Sequence, residues 1–119
     1  MPTIITLTGD LETRYRAEAQ REGIPVEALA TRRLEEVELL QRIFTAFPTE
    51  ENREFRSLVA KRGAGTLTSL EQERLTILAH QREEHNAQRF GDILTLAKLR
   101  GIRYRTLMTE LGIRPARIL

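Results

Sequence analysis

His80 and His85 are the only imidazoles in the chain, and Glu83 and Glu84 stand between them. Imidazole and carboxylate side chains together are the raw material of metal sites and acid–base pairs. Their spacing argues against both. Ligands that share a helical face stand three or four residues apart, whereas five residues turn two side chains about 140° from each other. The HExxH arrangement is absent. Glu83 and Glu84 are adjacent and diverge for the same reason, so they read as a solvated face. Lys61-Arg62-Gly63-Ala64-Gly65-Thr66 has the residue types of a phosphate loop in the wrong order, with the lysine ahead of the glycines and no strand before them. The glycines read as a helix stop. No Ser/His/Asp arrangement stands out. The absence of cysteine removes thiolate nucleophiles, disulfides and cysteine-based zinc or iron–sulfur centres. The expectation is a protein that is not an enzyme and uses no metal or other cofactor.

The chemistry that remains is electrostatic. The chain of 119 residues carries a formal net charge of +2, unevenly spread. Residues 1–48 hold six cations and eight acids, and residues 49–97 hold seven and eight. Residues 98–119 hold six cations against the single acid Glu110, a net of +5. Lys98, Arg100, Arg103 and Arg105 form a basic tail with two readings. They complement helix C-termini, or they form a patch for nucleic acid or an acidic partner. The start, MPTIITLTGD, lacks the basic region and long apolar stretch of a signal peptide. No apolar run approaches the ~18 residues needed to span a bilayer. A cytoplasmic protein without a membrane segment is expected.

The elements that position these groups read mainly as helix. Thr3-Ile4-Ile5-Thr6-Leu7-Thr8 alternates as a short strand, with Ile5 and Leu7 on one face and Ile4, Thr6 and Thr8 on the other. Thr8 or Asp10 can cap a first helix whose stripe is Leu11, Tyr15 and Ala19. Gly23 suits its left-handed end, and Pro25 suits the first position of a second helix. That helix carries Val26, Leu29, Ala30, Leu34 and Val37, and is expected to run through Leu40, Ile43 and Phe44 to about Phe47, because Pro48 forces a break. Thr49 is placed as the N-cap of a third helix bearing Phe55, Leu58 and Val59, which ends at Gly63-Ala64-Gly65. Thr68-Ser69-Leu70-Glu71 matches a capping box. It opens a helical stretch to about Arg100, with Leu75, Ile77, Leu78, Phe90, Ile93, Leu94 and Ala97 as buried positions. Gln81-Arg82-Glu83-Glu84-His85-Asn86 is polar all round and Gly91 follows, so this stretch is expected to be exposed, partnered or bent there. Gly101 ends it, and a short final helix spans Tyr104 to Leu111 before Gly112.

A single short strand cannot satisfy its own backbone, and its simplest partner is the same strand from a second copy across a two-fold axis. Strand, helix, glycine turn and helix within about 40 residues resemble the ribbon-helix-helix family of small dimeric bacterial regulators and antitoxins. The residues that carry the resemblance are Ile5-Thr6-Leu7-Thr8, the Leu11, Tyr15 and Ala19 stripe, Gly23-Ile24-Pro25-Val26-Glu27, and Leu29, Ala30 and Leu34. The resemblance implies an antiparallel ribbon between two copies, of the kind that enters the DNA major groove. By position, Ile4 and Thr6, with Pro2, would face bases, and Pro25, Val26 and Glu27 would lie at a phosphate held by the start of the second helix. Ile5, Leu7, Leu11, Tyr15, Leu29 and Leu34 would form the dimer core. The sequence departs from the family pattern in two places: the ribbon carries no charged or amide side chain, and Pro25 stands where Ser or Thr is usual.

Leu58-Val59-Ala60-Lys61-Arg62, Thr66-Leu67-Thr68 with Glu71, and Leu96-Ala97-Lys98-Leu99-Arg100-Gly101 look like the helical tails that follow such modules in uncharacterised cyanobacterial-type proteins, a likeness that carries no chemistry. The expected architecture is mainly α. Residues 1–47 form a ribbon-helix-helix dimerisation and DNA-binding unit, and residues 48–119 a helical hairpin with a short final helix. The expected function is that of a homodimeric DNA-binding transcriptional regulator, antitoxin-like, whose residues 48–119 engage a toxin or a subunit of a complex. The alternative is an adaptor that uses the ribbon only to dimerise and the helical tail to bind a protein complex.

Overall fold

The computed structural model describes residues 2–114. It holds five helices: α1 (Gly9–Glu22), α2 (Val26–Phe44), α3 (Thr49–Ala64), α4 (Ser69–Arg100) and α5 (Tyr104–Leu111). The protein is all-helical, and no β-strand forms among the described residues. The strand expected over residues 3–8 is therefore absent from the single chain. A strand is defined by its ladder, and no second extended segment of this chain stands beside it to close one. Thr8 does keep extended backbone (φ −132°, ψ 161°) as the cap residue of α1, without a side-chain bond to the helix. Gly9 then turns the chain at φ 62°, a left-handed conformation that a Cβ would disfavour by about 1–2 kcal/mol.

Four helices end in one way. After α1, Gly23 takes φ 71°, its N–H donates to Gln20 O, and the Ile24 N–H donates to Ala19 O at 3.0 Å. This pairing satisfies two carbonyls that the helix leaves open. Gly65, Gly101 and Gly112 close α3, α4 and α5 with the same two bonds. The starts of α2 and α3 differ from expectation by one position. The Pro25 carbonyl accepts the first helical bonds from Ala28 and Leu29, so proline caps α2 from outside. Pro48 does the same for α3, whose first residue is Thr49.

The chain divides into two compact units, Met1–Glu38 and Leu39–Leu119, with the division inside α2. In the first, Arg32 pairs with Glu22 at 2.7 Å, and Arg33 bridges Glu18 of α1 and the buried Glu36. Among its described residues the buried apolar side chains are only Ala19 and Leu29.

The second unit has a fuller interior. α3 runs antiparallel to α4, as the cross-links Lys61–Glu71, Glu54–Arg74 and Asn52–Arg82 require. Leu58, Leu75 and Leu78 pack between them, flanked by Phe55, Val59 and Leu67. A second cluster joins Leu39 and Ile43 of α2 to Ile93, Leu96 and Ala97 of α4 and to Leu107, Met108 and Ile113. Thr68 and Glu71 form the expected capping box, each bonding the other's backbone N–H, at 3.2 and 3.1 Å. α4 continues unbroken for 32 residues, about 48 Å. Two expected core positions on it, Ile77 and Leu94, are exposed, and Leu96 is buried in their place.

The polar middle of α4 has definite partners. The Arg82 guanidinium lies 4.4 Å from the Phe55 ring centroid, His85 Nε2 donates to Thr45 O at 3.1 Å, and Arg89 Nε donates to Ile43 O at 2.7 Å. The His85 and Arg89 bonds fall on the end of α2, which stops at Phe44, three residues short of Phe47. Pro48 pushes Phe47 out of helical backbone, and Thr45 Oγ1 donates back to Gln41 O at 2.6 Å.

Candidate functional site

In the first unit the segment before α1 and the facing sides of α1 and α2 enclose an open groove of about 620 Å³. Its floor and walls are apolar for reasons of helical periodicity. Leu11 and Tyr15 are one turn apart on α1, as are Val26, Ala30 and Leu34 on α2. The segment contributes Thr3 to Leu7 as a third wall. Ionic groups are confined to Glu12, Arg16 and Glu27, of which Glu12 and Arg16 pair with each other at 2.9 Å.

The residues expected to form a dimer core are placed as follows. Leu29 is fully buried, and Leu7 and Tyr15 are half-buried. Ile5, Leu11 and Leu34 stay exposed at 61, 38 and 53%. Of the expected DNA-facing residues, Ile4 (91% exposed), Thr6, Val26 and Glu27 line the same groove. Pro25 is exposed but does not line it.

The basic tail is only partly engaged. Arg100 lies 3.9 Å from Glu110, and Arg105 Nε donates to Tyr104 Oη at 3.2 Å. That bond holds the Arg105 guanidinium above its ordinary pKa. Lys98 and Arg103 are exposed, with no ion pair or hydrogen bond to any described residue. Arg117 lies outside the described residues.

His80 Nε2 sits 3.1 Å from Glu84 on solvent-facing side chains, while His85 bonds Thr45 O, so the histidines serve separate local contacts. Among the described residues no group of three or more His, Asp or Glu side chains is placed to hold a metal ion, and no helix is long and apolar enough to cross a membrane. The sequence reading missed Arg56, Arg82 and Arg89, which gather with Asn52, His85 and Asn86 around the end of α2. Arg82 and Arg89 stand seven residues apart, two helical turns, and this was the available signal. Compared with protein-family models, with curated proteins and with solved structures, the chain matches none.

Proposed function

We propose that the chain acts as a cytoplasmic homodimer built on residues 3–37 in the ribbon-helix-helix manner. The dimer is a DNA-binding, antitoxin-like regulator, and its residues 48–119 engage a partner protein. The observation that carries this reading is the unfinished state of the first unit. It buries two apolar side chains and leaves Ile5, Leu11 and Leu34 in solvent around one groove. A unit of fewer than 40 residues needs an additional source of core, and a contiguous apolar surface marks an interface.

A second copy is the occupant that meets both needs at once. Its residues 3–8 supply the missing ladder for this chain's residues 3–8, and its Ile5, Leu11 and Leu34 cover their counterparts. Ile4 and Thr6 line the same groove in the single chain, so for them to face the major groove residues 3–8 must re-form as the alternating strand when the second copy docks.

One observation favours the second reading, an adaptor that dimerises without binding DNA. The first cation of the chain is Arg14, so the ribbon holds no phosphate by charge, and Glu27 sits where a phosphate would approach α2. A salt titration separates the two readings. Binding of the full chain to random duplex DNA, followed by fluorescence anisotropy, is expected to weaken with salt by a log–log slope of about −0.9 per phosphate contact. Ile4→Glu and Thr6→Ala are expected to abolish preference for a selected operator. Negligible binding at low salt, unchanged by either substitution, would overturn the DNA role and leave the adaptor.

A further inference from the structure

The second unit contains a cavity of about 310 Å³ where α2 ends against α3 and α4. Three guanidinium groups, those of Arg56, Arg82 and Arg89, line it together with His85, Asn52 and Asn86. No carboxylate lines it. What sets these three apart is that they share one cavity without a counter-charge. Arg16, Arg32, Arg33, Arg42 and Arg74 each lie against a Glu or Asp side chain. The three cavity arginines have no such counter-charge among the described residues.

Two of the three are already held in place. The Arg82 guanidinium lies 4.4 Å from the Phe55 ring centroid and donates to Asn52 Oδ1. Arg89 Nε donates to Ile43 O at 2.7 Å. Each of these bonds uses one of the five donors that a guanidinium carries, and both side chains are half-buried. Holding them in advance removes much of the ordering cost that a ligand would otherwise meet. Arg56, by contrast, is exposed and makes no bond to any described residue. A purely structural role at the end of α2 accounts for Arg89 and His85, which bond its last carbonyls, but it leaves Arg56 unexplained.

We propose that this cavity binds one phosphate-type oxyanion, inorganic phosphate or a phosphate monoester. Guanidinium forks match the paired oxygens of a phosphate, the amides of Asn52 and Asn86 add neutral donors, and the cavity exceeds the volume of the group. The site lies within the second unit and does not depend on dimerisation or on DNA binding.

The test is a titration of the full chain with inorganic phosphate at constant ionic strength, with chloride as the balancing ion. It is followed through the arginine Nε–H signals by NMR. Saturable shifts at Arg82 and Arg89 are expected, together with about tenfold weaker binding in Arg56→Ala. The Arg56→Ala helix content by circular dichroism is expected to be unchanged, since Arg56 supports nothing in the fold. Arg56→Lys should bind with intermediate affinity, because it restores charge without the fork. Shifts that never saturate, or that chloride reproduces, would overturn the proposal, as would undiminished binding in Arg56→Ala. A short DNA duplex that moves these signals when phosphate does not would also overturn it, by identifying a backbone-phosphate contact instead.

Discussion

Leu34→Ala tests the dimer where it is most exposed to refutation. Leu34 leaves 53% of its surface in solvent within the single chain. Full burial of a leucine side chain contributes roughly 1.5–3 kcal/mol, so covering the open half contributes roughly 0.8–1.6 kcal/mol per chain. A two-fold axis repeats the contact, giving roughly 1.6–3.2 kcal/mol per dimer, or about 15- to 200-fold in dissociation constant. Alanine keeps its Cβ, which places the expected weakening toward the lower end, about 20-fold. Sedimentation equilibrium over a concentration series reads it directly. Leu94→Ala is the matched control, because Leu94 is 44% exposed on α4 and lines no part of the groove. Burial in the dimer predicts weakening by Leu34→Ala alone. Equal effects from both substitutions, no effect from Leu34→Ala, or a wild-type chain monomeric at millimolar concentration would refute the reasoning.

Other consequences follow from named contacts. Leu78, fully buried between α3 and α4, is expected to lose about 2–5 kcal/mol of stability as Leu78→Ala, measured by urea denaturation. Thr68→Ala removes one half of the capping box and should cost about 1 kcal/mol, read in the same assay. The Arg74 hydrogen bond lowers the pKa of Glu54, and the Lys61 hydrogen bond, with the Thr68 N–H, lowers that of Glu71, both from the ordinary 4.5. Their ionised forms therefore favour the folded hairpin above that value, and the gain fades as pH falls through the lower folded values. A melting-temperature series between about pH 6 and pH 3 should flatten in the Glu54→Gln, Glu71→Gln double variant, and an unchanged slope would contradict the assignment. Replacing Lys98 and Arg103 by glutamine should reduce the salt slope of DNA binding by about 1–2, without moving the dimer dissociation constant.

Much of the helical layout was legible because each signal was local. Gly23, Gly65, Gly101 and Gly112 mark four helix ends, and the isoleucine after three of them supplies the apolar residue that follows such a stop. The capping box at Thr68 was readable from four letters. What escaped depended on partners distant in sequence. Leu96 is buried and Leu94 is not, because the Leu107 and Met108 side of α5 selects the α4 face, and periodicity alone does not fix that phase. The polar middle of α4 reads from sequence as exposed, partnered or bent. His85 and Arg89 instead bond the end of α2, 40 and 46 residues earlier, and Arg82 bonds Asn52 of α3, and no window of sequence contains both ends of those bonds. The extended segment shows the same effect in reverse. Its alternation was visible, yet a ladder requires a second extended segment, and none of the described residues of this chain supplies one.

Charge placement constrains how a DNA-binding dimer of this kind could work. The ribbon offers threonine hydroxyls and isoleucine methyls, which can discriminate among bases by contact with groove edges, but residues 1–13 contain no lysine or arginine to neutralise a phosphate. Phosphate neutralisation supplies nearly all non-specific affinity, so in the proposed dimer the ribbon would specify a site without holding it. The cations needed for holding are concentrated after residue 97, where Lys98 and Arg103 remain unengaged and only Glu110 offsets them in the sequence. In a dimer two such tails are tethered to one ribbon pair, and tethering raises the local concentration of the second contact once the first is made. On the proposed DNA-binding reading, specificity therefore falls to residues 3–8 and affinity to the cations after residue 97, and removing either is expected to abolish operator binding at physiological salt while leaving the other end's contribution measurable.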